Sequence, residues 1–455
     1  MRKDKPKHFN SVESVERGRF DAVPFFLVMA VLSIVSFILP LRPTESIAEK
    51  RRLAAFPDFS AQALWDGSYF DDINLWFSDT FPGRDAYIYV AGRLDTLHGL
   101  NRNRVVNNAG THTESDDLDA LLEAVENAPA EVTPTPIPTP PPTPTVDPDA
   151  EITEWAGFDA QDELAMYGSM LVLDKTIVTT LGFSQSCSDW HASLMNRMGD
   201  ILAGMDVRFF NLPAPTSVGV LLSSDILEQV NSADQGKMLR YMFAQENENV
   251  HKVNAFNYLI AHNDEYIYYN SDHHWSALGA YYAYEAFCHE AGFEPVPLSE
   301  YTEVSMGNFI GTYFFQLNGS VDAHDEMIAY IPPGDTHMEI AEYPSLTSVI
   351  VDESDANDSM KYNCFIGGDN PITILTNDSI PDAPNCVVMK DSFGNPFTVY
   401  LTQHYHKVIV MDYRTAGRYV SDVVREYGAS DMILVQSIGV SQTEGPLSLL
   451  NYWLY

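Results

Sequence analysis

The sequence predicts an α/β domain with a mostly parallel sheet flanked by helices. Short, continuous apolar runs at 385–389, 407–411 and 431–435 have the length and composition of buried strands, and helical patterns separate them. A helical pattern over 189–202, followed by an apolar run over 207–213, repeats this alternation. Because apolar strands that alternate with helices are typical of a parallel sheet covered on both faces, these runs define the fold class.

Other segments of the predicted α/β domain show weaker secondary-structure patterns. Residues 169–173 and the aromatic, β-branched run 265–269 are predicted strands, and residues 235–245 form a helical pattern. Residues 297–384 are irregular and rich in Gly, Asn and Asp, so we interpret them as a long insertion or a small β-rich excursion.

The N-terminal segment predicts a membrane anchor. Residues 22–41 are almost entirely apolar, and a helix of about 20 such residues spans a bilayer. The basic residues within 1–21 predict a cytoplasmic tail, which leaves the main domain outside the cell in a single-pass protein of the cell membrane. A signal peptide cleaved near 46–48 is the alternative interpretation.

Three segments follow the predicted anchor. Residues 42–111 are interpreted as an N-terminal helical arm that packs on the main domain. Residues 112–152 are acidic and rich in Pro and Thr, and the Pro/Thr repeat at 133–144 cannot bury a core, so this insertion is predicted to be disordered. Residues 153–455 are then the α/β domain.

The amino-acid composition argues against some classes of binding partner. Lys and Arg total 26 against 63 Asp and Glu, a formal net charge of −37, which argues against nucleic acid as a partner because phosphates need basic residues. A neutral glycan or a small ester fits this charge better. The four cysteines form no Cys-x-x-Cys pair, so they are predicted to be buried apolar residues or to include one bridged pair.

The segment Asp272-His273-His274-Trp275 carries the strongest chemical signal. It follows the predicted strand 265–269, and Ser276 is placed to cap a helix behind it. In an extended loop, residues two apart face the same way, so Asp272 and His274 can act together while His273 points elsewhere.

Ser392 is the predicted nucleophile. It follows a buried strand that ends at Lys390, and Asn395 and Pro396 predict a helix start shortly after it. Open α/β sheets place their active sites at such strand-to-helix turns, where backbone N–H groups can stabilise an oxyanion.

A serine hydroxyl needs a base to take its proton, and the base needs an orienting carboxylate. Ser392, His274 and Asp272 supply these three roles, in an order along the chain that such triads tolerate. The alternative is that His274 and Asp272 bind a metal ion, since imidazole and carboxylate are good ligands, although no third ligand at a suitable spacing is evident.

These residues resemble the bacterial DHHW family. The family is similar to the periplasmic alginate O-acetylation proteins, which are permuted relatives of the SGNH hydrolases. The resemblance covers most of the chain and is carried by the segments 51–57, 79–84, 269–280 and 390–393. It implies an SGNH hydrolase-like fold and a triad of Asp272, His274 and Ser392. Lys390 stands where the hydrolases proper have Gly.

The resemblance also implies a function. We expect an extracytoplasmic O-acyl (acetyl) transferase or esterase that acts on a cell-surface polysaccharide, without a cofactor or metal, alongside a polytopic membrane O-acyltransferase. Expected substrate-binding residues are His273, Trp275, Tyr413 and Arg414, with structural packing as the alternative for the first two. Gly311 is the candidate for the oxyanion hole. The alternative functions are a non-catalytic scaffold or glycan-binding subunit of a polysaccharide modification or export complex, and a metal-dependent hydrolase.

Overall fold

The computed structural model describes most of the chain beyond residue 163 and scattered residues before it. The described residues are 42, 45–46, 51–52, 56, 59, 69, 73, 76–77, 80–81, 118–126, 157–158, 164–317, 319, 321–341, 348–354 and 357–453. Two compact units divide the chain, Met1–Asn101 and Arg102–Tyr455. The predicted tail 1–21, the predicted anchor 22–41 and the Pro/Thr repeat 133–144 lie outside the described residues. Among the described residues, no helix combines the length and the apolar character that a membrane span requires.

The first unit is described at few positions. Two short antiparallel strands, β1 (Glu45–Ser46) and β2 (Arg51–Arg52), pair with each other. The guanidinium of Arg42 lies 4.0 Å from the ring centroid of Trp76 and donates a hydrogen bond of 2.8 Å to Thr80. The predicted packing of 42–111 on the main domain stays a prediction.

A seven-stranded sheet forms the centre of the second unit. Its strands are β6 (Arg208–Ala214), β7 (Val250–Lys252), β10 (Thr336–Ile340), β11 (Ile372–Asn377), β12 (Asn385–Lys390), β13 (Lys407–Asp412) and β14 (Ala429–Ser437), in the order β10-β11-β13-β12-β14-β6-β7. The five strands from β13 to β7 are parallel, whereas β10 and β11 pair antiparallel at one end.

The α/β prediction is confirmed, and the apolar runs at 385–389, 407–411, 431–435 and 207–213 are parallel strands as predicted. The sheet is mixed, however, because the irregular segment 297–384 supplies β10 and β11 to it and does not form a separate insertion. β10 alternates exposed and buried residues, a pattern typical of an edge strand covered on one face.

Helices cover both faces of the sheet. The helices described in the second unit are α1 (Leu118–Glu126), α2 (Gln185–Ala203), α3 (Ser217–Leu221), α4 (Ser224–Gln229), α5 (Gln235–Phe243), α6 (Ala255–Ile260), α7 (Ala277–Ala291), α8 (Thr312–Gln316), α9 (Gly394–Leu401), α10 (Val420–Tyr427) and α11 (Glu444–Trp453). Val388 of β12 packs in the cluster that contains α7 and α9, while its neighbour Val387 packs in the cluster that contains α2 and α10. Successive residues of a strand point to opposite faces, so the sheet has a core on each side.

Two smaller sheets lie outside the central one among the described residues of the second unit. β3 (Leu164–Tyr167), β4 (Met170–Leu173) and β5 (Thr176–Thr179) form an antiparallel meander, so the predicted strand 169–173 is not part of the parallel sheet. β8 (Thr302–Phe309) and β9 (Asp325–Ile331) form an antiparallel pair.

The prediction of disorder over 112–152 is wrong for α1. Its Leu118, Leu121 and Leu122 recur at helical spacing, and Leu122 is buried. An ion pair of 2.5 Å joins Asp119 of α1 to Lys237 of α5. Residues 118–126 therefore have an apolar face that can be buried, which the acidic composition of 112–152 had obscured.

All four cysteines are free and buried, in line with their interpretation as small apolar residues. The residues are Cys187, Cys288, Cys364 and Cys386.

Candidate active site

The loop that carries Asp272 and His274 is closed by backbone pairing. Residues 265–269 do not form the predicted strand, since Tyr268 makes only an isolated bridge with Trp275. The N–H of Tyr269 donates to the carbonyl of His274 at 3.3 Å. Ser276 caps α7 as predicted, because its hydroxyl accepts from the N–H of Gly279 at 3.2 Å. The loop is therefore fixed at both ends.

The carboxylate of Asp325, at the start of β9, holds the beginning of this loop. It accepts from the N–H of Asn270 at 2.6 Å and from the N–H of Ser271 at 3.0 Å. The hydroxyls of Ser271 and Tyr266 donate to the same carboxylate. Because Asp325 is buried, these four donors replace the water that its charge would otherwise bind.

Residues after β8 support Asp272 from the other side. Thr312 donates to Oδ2 of Asp272 through its backbone N–H at 2.7 Å and through its hydroxyl at 3.1 Å. The N–H of Gly311 donates to Ser271 at 2.7 Å, and a Cβ at Gly311 would stand 2.3 Å from Cβ of Asp272. The suggestion that Gly311 lines an oxyanion hole is therefore wrong: its N–H is used within the loop, and its lack of a side chain permits the close approach.

Asp272, His274 and Ser392 form a continuous hydrogen-bonded series. Nδ1 of His274 lies 2.6 Å from Oδ1 of Asp272, and Nε2 lies 2.6 Å from the hydroxyl oxygen of Ser392. An ionised carboxylate can only accept, so Nδ1 carries the ring proton and Nε2 is free to accept from Ser392. Asp272 and His274 are buried, whereas Ser392 is half-buried. The Ser392 end of the series is thus the end that solvent reaches.

The ring of His274 is stacked on that of Tyr362, with centroids 4.1 Å apart and planes inclined by 16°. The hydroxyl of Tyr362 donates to the carbonyl of Ser392 at 3.0 Å. Tyr362 therefore contacts both residues and fixes the imidazole plane relative to the turn.

The turn that carries Ser392 is held by its neighbour Asp391. The carboxylate of Asp391 accepts from the N–H of Phe393 at 3.0 Å and from the N–H of Ser437 at 2.8 Å. Burial raises the pKa of Asp391 above its ordinary value, and these two N–H groups oppose that shift. α9 begins at Gly394, one residue before the predicted cap Asn395.

A group of four charges lies next to this turn, at the ends of β12 and β13, with Lys390 and Asp412 buried and Asp369 and Arg414 partly exposed. Nζ of Lys390 donates to Asp369 at 2.6 Å and lies 3.3 Å from Oδ2 of Asp412. Arg414 donates to Asp412 at 2.8 Å and to Asp369 at 2.7 Å. Partial desolvation favours a neutral Asp369, but the charges of Lys390 and Arg414 outweigh it and hold the pKa of Asp369 well below the usual range. Lys390 is therefore a structural cation at the position where the hydrolases have Gly.

The four expected substrate-binding residues divide into two pairs. The side chains of His273 and Arg414 are each 38% exposed, so both are accessible to solvent. Trp275 and Tyr413 are buried, which contradicts direct contact with a substrate. The indole of Trp275 instead donates to the carbonyl of Phe393 at 3.0 Å and joins the two halves of the site.

One cluster in the site has metal-ligand chemistry. Ligand atoms of Asp272, His273 and His274 all lie within 4.8 Å of one another. Both ring nitrogens of His274 already have partners in Asp272 and Ser392, so a metal ion here would replace the hydrogen-bonded series.

Sequence reasoning missed three residues that shape the site: Thr312, Asp325 and Tyr362. All three lie in the segment 297–384, which lacks a periodic pattern. The sequence offered only a weak local signal for Thr312, because Gly311-Thr312 before a short helix is a common turn and does not by itself indicate a functional site.

The fold and this site define an α/β protein that carries a serine–imidazole–carboxylate arrangement at the carboxyl end of a parallel strand. The model of the DHHW protein family matches residues 49–133 and 143–411, and the chain belongs to that family.

Two solved structures share the fold. A DHHW family protein from Eubacterium siraeum is 25% identical, with a TM-score of 0.57 over 64% of this chain and 97% of that one. PatB1 of Bacillus cereus, solved with a sulfonyl adduct, is 16% identical, with a TM-score of 0.50 over 62% and 99%. No curated protein matches this chain in sequence.

Proposed function

We propose that the chain is an O-acyl transferase or esterase in which Ser392 is the nucleophile, His274 the base and Asp272 the orienting carboxylate. The observation that carries this proposal is the pair of 2.6 Å contacts that His274 makes with Ser392 and Asp272. A serine hydroxyl is a weak nucleophile until such a base takes its proton.

The reaction has two halves. Oγ of Ser392 bonds to the acyl carbon while its proton passes to Nε2 of His274, and the tetrahedral intermediate then collapses as that proton moves to the departing alcohol. In the second half, a sugar hydroxyl or water gives its proton to His274 and attacks the acyl carbon. The second tetrahedral intermediate collapses as His274 returns that proton to Oγ of Ser392, and the bond between Ser392 and the acyl group breaks. Asp272 stabilises the imidazolium in both halves without taking a proton.

The developing oxyanion needs a donor near Ser392. Among the residues that the structure describes, no atom accepts from the backbone N–H of Ser392, whereas the N–H groups of Asp391 and Phe393 are used. The N–H of Ser392 is therefore our candidate for the oxyanion hole.

The acyl acceptor is proposed to be a cell-surface polysaccharide. His273 and Arg414 are the exposed polar groups of the site that would hydrogen-bond its hydroxyls. The high negative charge favours a neutral or weakly charged glycan over a polyanion. Anchoring by 22–41 with the main domain outside the cell, and delivery of the acyl group by a polytopic membrane partner, complete this proposal.

Hydrolysis of a chromogenic acetyl ester tests the enzymatic claim. We expect the full chain to hydrolyse it and Ser392→Ala to lose that activity, while Ser448→Ala, an exposed serine on α11, keeps it. Equal rates for wild type and Ser392→Ala would contradict the proposal and favour a non-catalytic glycan-binding subunit. Activity that a chelator removes, but that Ser392→Ala retains, would favour a metal-dependent hydrolase.

A further inference from the structure

His273 is connected to the carboxylate of Asp272 through the hydroxyl of Thr312. Nδ1 of His273 lies 2.9 Å from the hydroxyl oxygen of Thr312, and this hydroxyl donates to Oδ2 of Asp272 at 3.1 Å. The side chain of His273 is 38% exposed, whereas Asp272 is buried. A second hydrogen-bonded series therefore leads from the solvent-exposed side of the site to the carboxylate that orients His274.

The direction of each hydrogen bond in this series follows from the chemistry of its members. An ionised carboxylate only accepts, so the single hydroxyl proton of Thr312 points to Asp272. The hydroxyl oxygen then accepts from His273, which requires a proton on Nδ1 of that ring. The series therefore runs from His273 to Thr312 to Asp272, and the hydroxyl of Thr312 is used as both donor and acceptor.

The two oxygens of Asp272 contact different neighbours. Oδ1 accepts from the backbone N–H of His274 at 3.2 Å and lies 2.6 Å from Nδ1 of the same residue. Oδ2 accepts from the N–H and from the hydroxyl of Thr312, at 2.7 Å and 3.1 Å. Because one planar group carries both oxygens, the contacts at Oδ2 also set the orientation of Oδ1 towards the imidazole of His274.

The direct contacts of His273 with the triad are weaker than the contact through Thr312. Nδ1 of His273 lies 3.3 Å from Oδ1 of Asp272, just beyond the usual range of such hydrogen bonds, whereas its 2.9 Å distance to Thr312 lies within that range. The rings of His273 and His274 are in contact, with centroids 3.8 Å apart and planes inclined by 38°. Thr312 is therefore the main connection between His273 and Asp272.

We propose that His273 is a positioning residue for the proposed acyl transfer. It holds the hydroxyl of Thr312 against Oδ2 of Asp272 and so fixes the carboxylate that orients His274. Without this imidazole the hydroxyl can rotate, and its hydrogen bond to Asp272 is no longer fixed. The inference rests on the proposed function, and it gives His273 a role in the chemical step in addition to the glycan contact proposed above.

Hydrolysis of a small chromogenic acetyl ester separates this role from glycan binding, because such an ester has no sugar for His273 to contact. We expect His273→Ala to lower kcat about tenfold with little change in KM. His273→Asn should keep most of the wild-type kcat, since its side-chain N–H can replace Nδ1–H as the donor to Thr312. His289→Ala, an exposed histidine on α7, is the control and should keep the wild-type kinetics.

A double-mutant cycle with Thr312→Val assigns the effect to the hydroxyl. This variant lacks the hydroxyl but keeps the backbone N–H that donates to Asp272, so its kcat should also fall about tenfold. Adding His273→Ala to Thr312→Val should then change kcat less than about twofold, because His273 acts through a group that is already absent.

The proposal is overturned if His273→Ala keeps the wild-type kcat on the small ester, or if His273→Asn is as slow as His273→Ala. It is also overturned if the effects of His273→Ala and Thr312→Val multiply in full, since the two residues would then act independently. Failure of the proposed function itself gives a different result, in which the wild type does not hydrolyse the ester or Ser392→Ala is equally active.

Discussion

The two halves of the site are built by different means. The loop with Asp272 and His274 is held by side chains of a distant segment, chiefly Asp325 and Thr312. The turn with Ser392 is held by its own strand and helix, through the carboxylate of Asp391 and backbone N–H groups. The position of Ser392 therefore depends on the sheet, whereas the position of His274 depends on the irregular segment 297–384.

The largest expected effect comes from removing the imidazole of His274, which joins the two halves. His274→Ala leaves Ser392 without a proton acceptor, so we expect kcat for ester hydrolysis to fall about 10⁴-fold or more. Steady-state kinetics measure this, with His289→Ala on the surface of α7 as the control. A loss of less than about tenfold would show that His274 is not the base.

Disturbing the support of the Asp–His loop should have the next largest effect. Asp325→Asn cannot accept from all four donors, so the loop moves relative to Ser392, and we expect kcat to fall about a hundredfold with little change in KM. Asp322→Asn, an exposed carboxylate nearby, is the control. If Asp325→Asn lowers only the stability and the folded protein keeps its kcat, the dependence of the base on the excursion is disproved.

A smaller effect is expected where one residue contacts both halves. Tyr362→Phe keeps the ring stacked on His274 but removes the hydrogen bond to the carbonyl of Ser392. One such bond is worth about 1 kcal/mol, so kcat/KM should fall about fivefold. A second variant, Tyr362→Ala, also loses the stacking on His274, so its kcat/KM should be lower than that of Tyr362→Phe. Equal values for the two variants would show that the stacking does not contribute to activity.

The smallest effect on activity is expected at Glu246, a buried residue outside both halves. Burial raises the pKa of Glu246 to about 8, against the opposing influence of Lys252 and Asn211. In the unfolded chain its pKa is about 4.3, so the folded state holds the proton more tightly between these values. The free energy of unfolding should therefore fall as pH rises through this interval, by up to about 1.4 kcal/mol per pH unit.

Urea unfolding of the wild type and of Glu246→Gln at about pH 6 and about pH 8 measures this slope. Glu246→Gln cannot ionise, so its stability should change less with pH, while its ester hydrolysis stays at the wild-type rate. Glu248→Gln, which is exposed, should behave as the wild type. Parallel pH profiles for Glu246→Gln and the wild type would refute the assignment.

The two halves of the site also differ in how much of each could be predicted from the sequence. The strand before Ser392 is a continuous apolar run that the turn follows directly, so the sequence indicated both the strand and the turn that carries Ser392. Asp272 and His274 were recognisable as a motif, but their supports were not. Thr312 and Asp325 act across about 40 and 54 residues of chain, through contacts that have no period in the sequence.

The remaining differences between the sequence predictions and the structure concern which residues are buried. Trp275 and Tyr413 carry polar atoms that would suit a binding surface, and only the packing around Phe393 and the end of β12 shows that they face inward. The mixed character of the sheet was hidden for a related reason. β10 is a half-exposed edge strand of five residues, and its alternating pattern is too short to stand out from an irregular segment.

The central claim is that His274 activates Ser392, and covalent labelling with a sulfonyl fluoride tests it most directly. Mass spectrometry of the intact and digested protein locates the adduct and gives its rate of formation. We expect one sulfonyl group on Ser392 in the wild type and labelling at least about a hundredfold slower in His274→Ala. A wild-type protein that is not labelled at Ser392, or that is labelled there equally fast without His274, would contradict the claim.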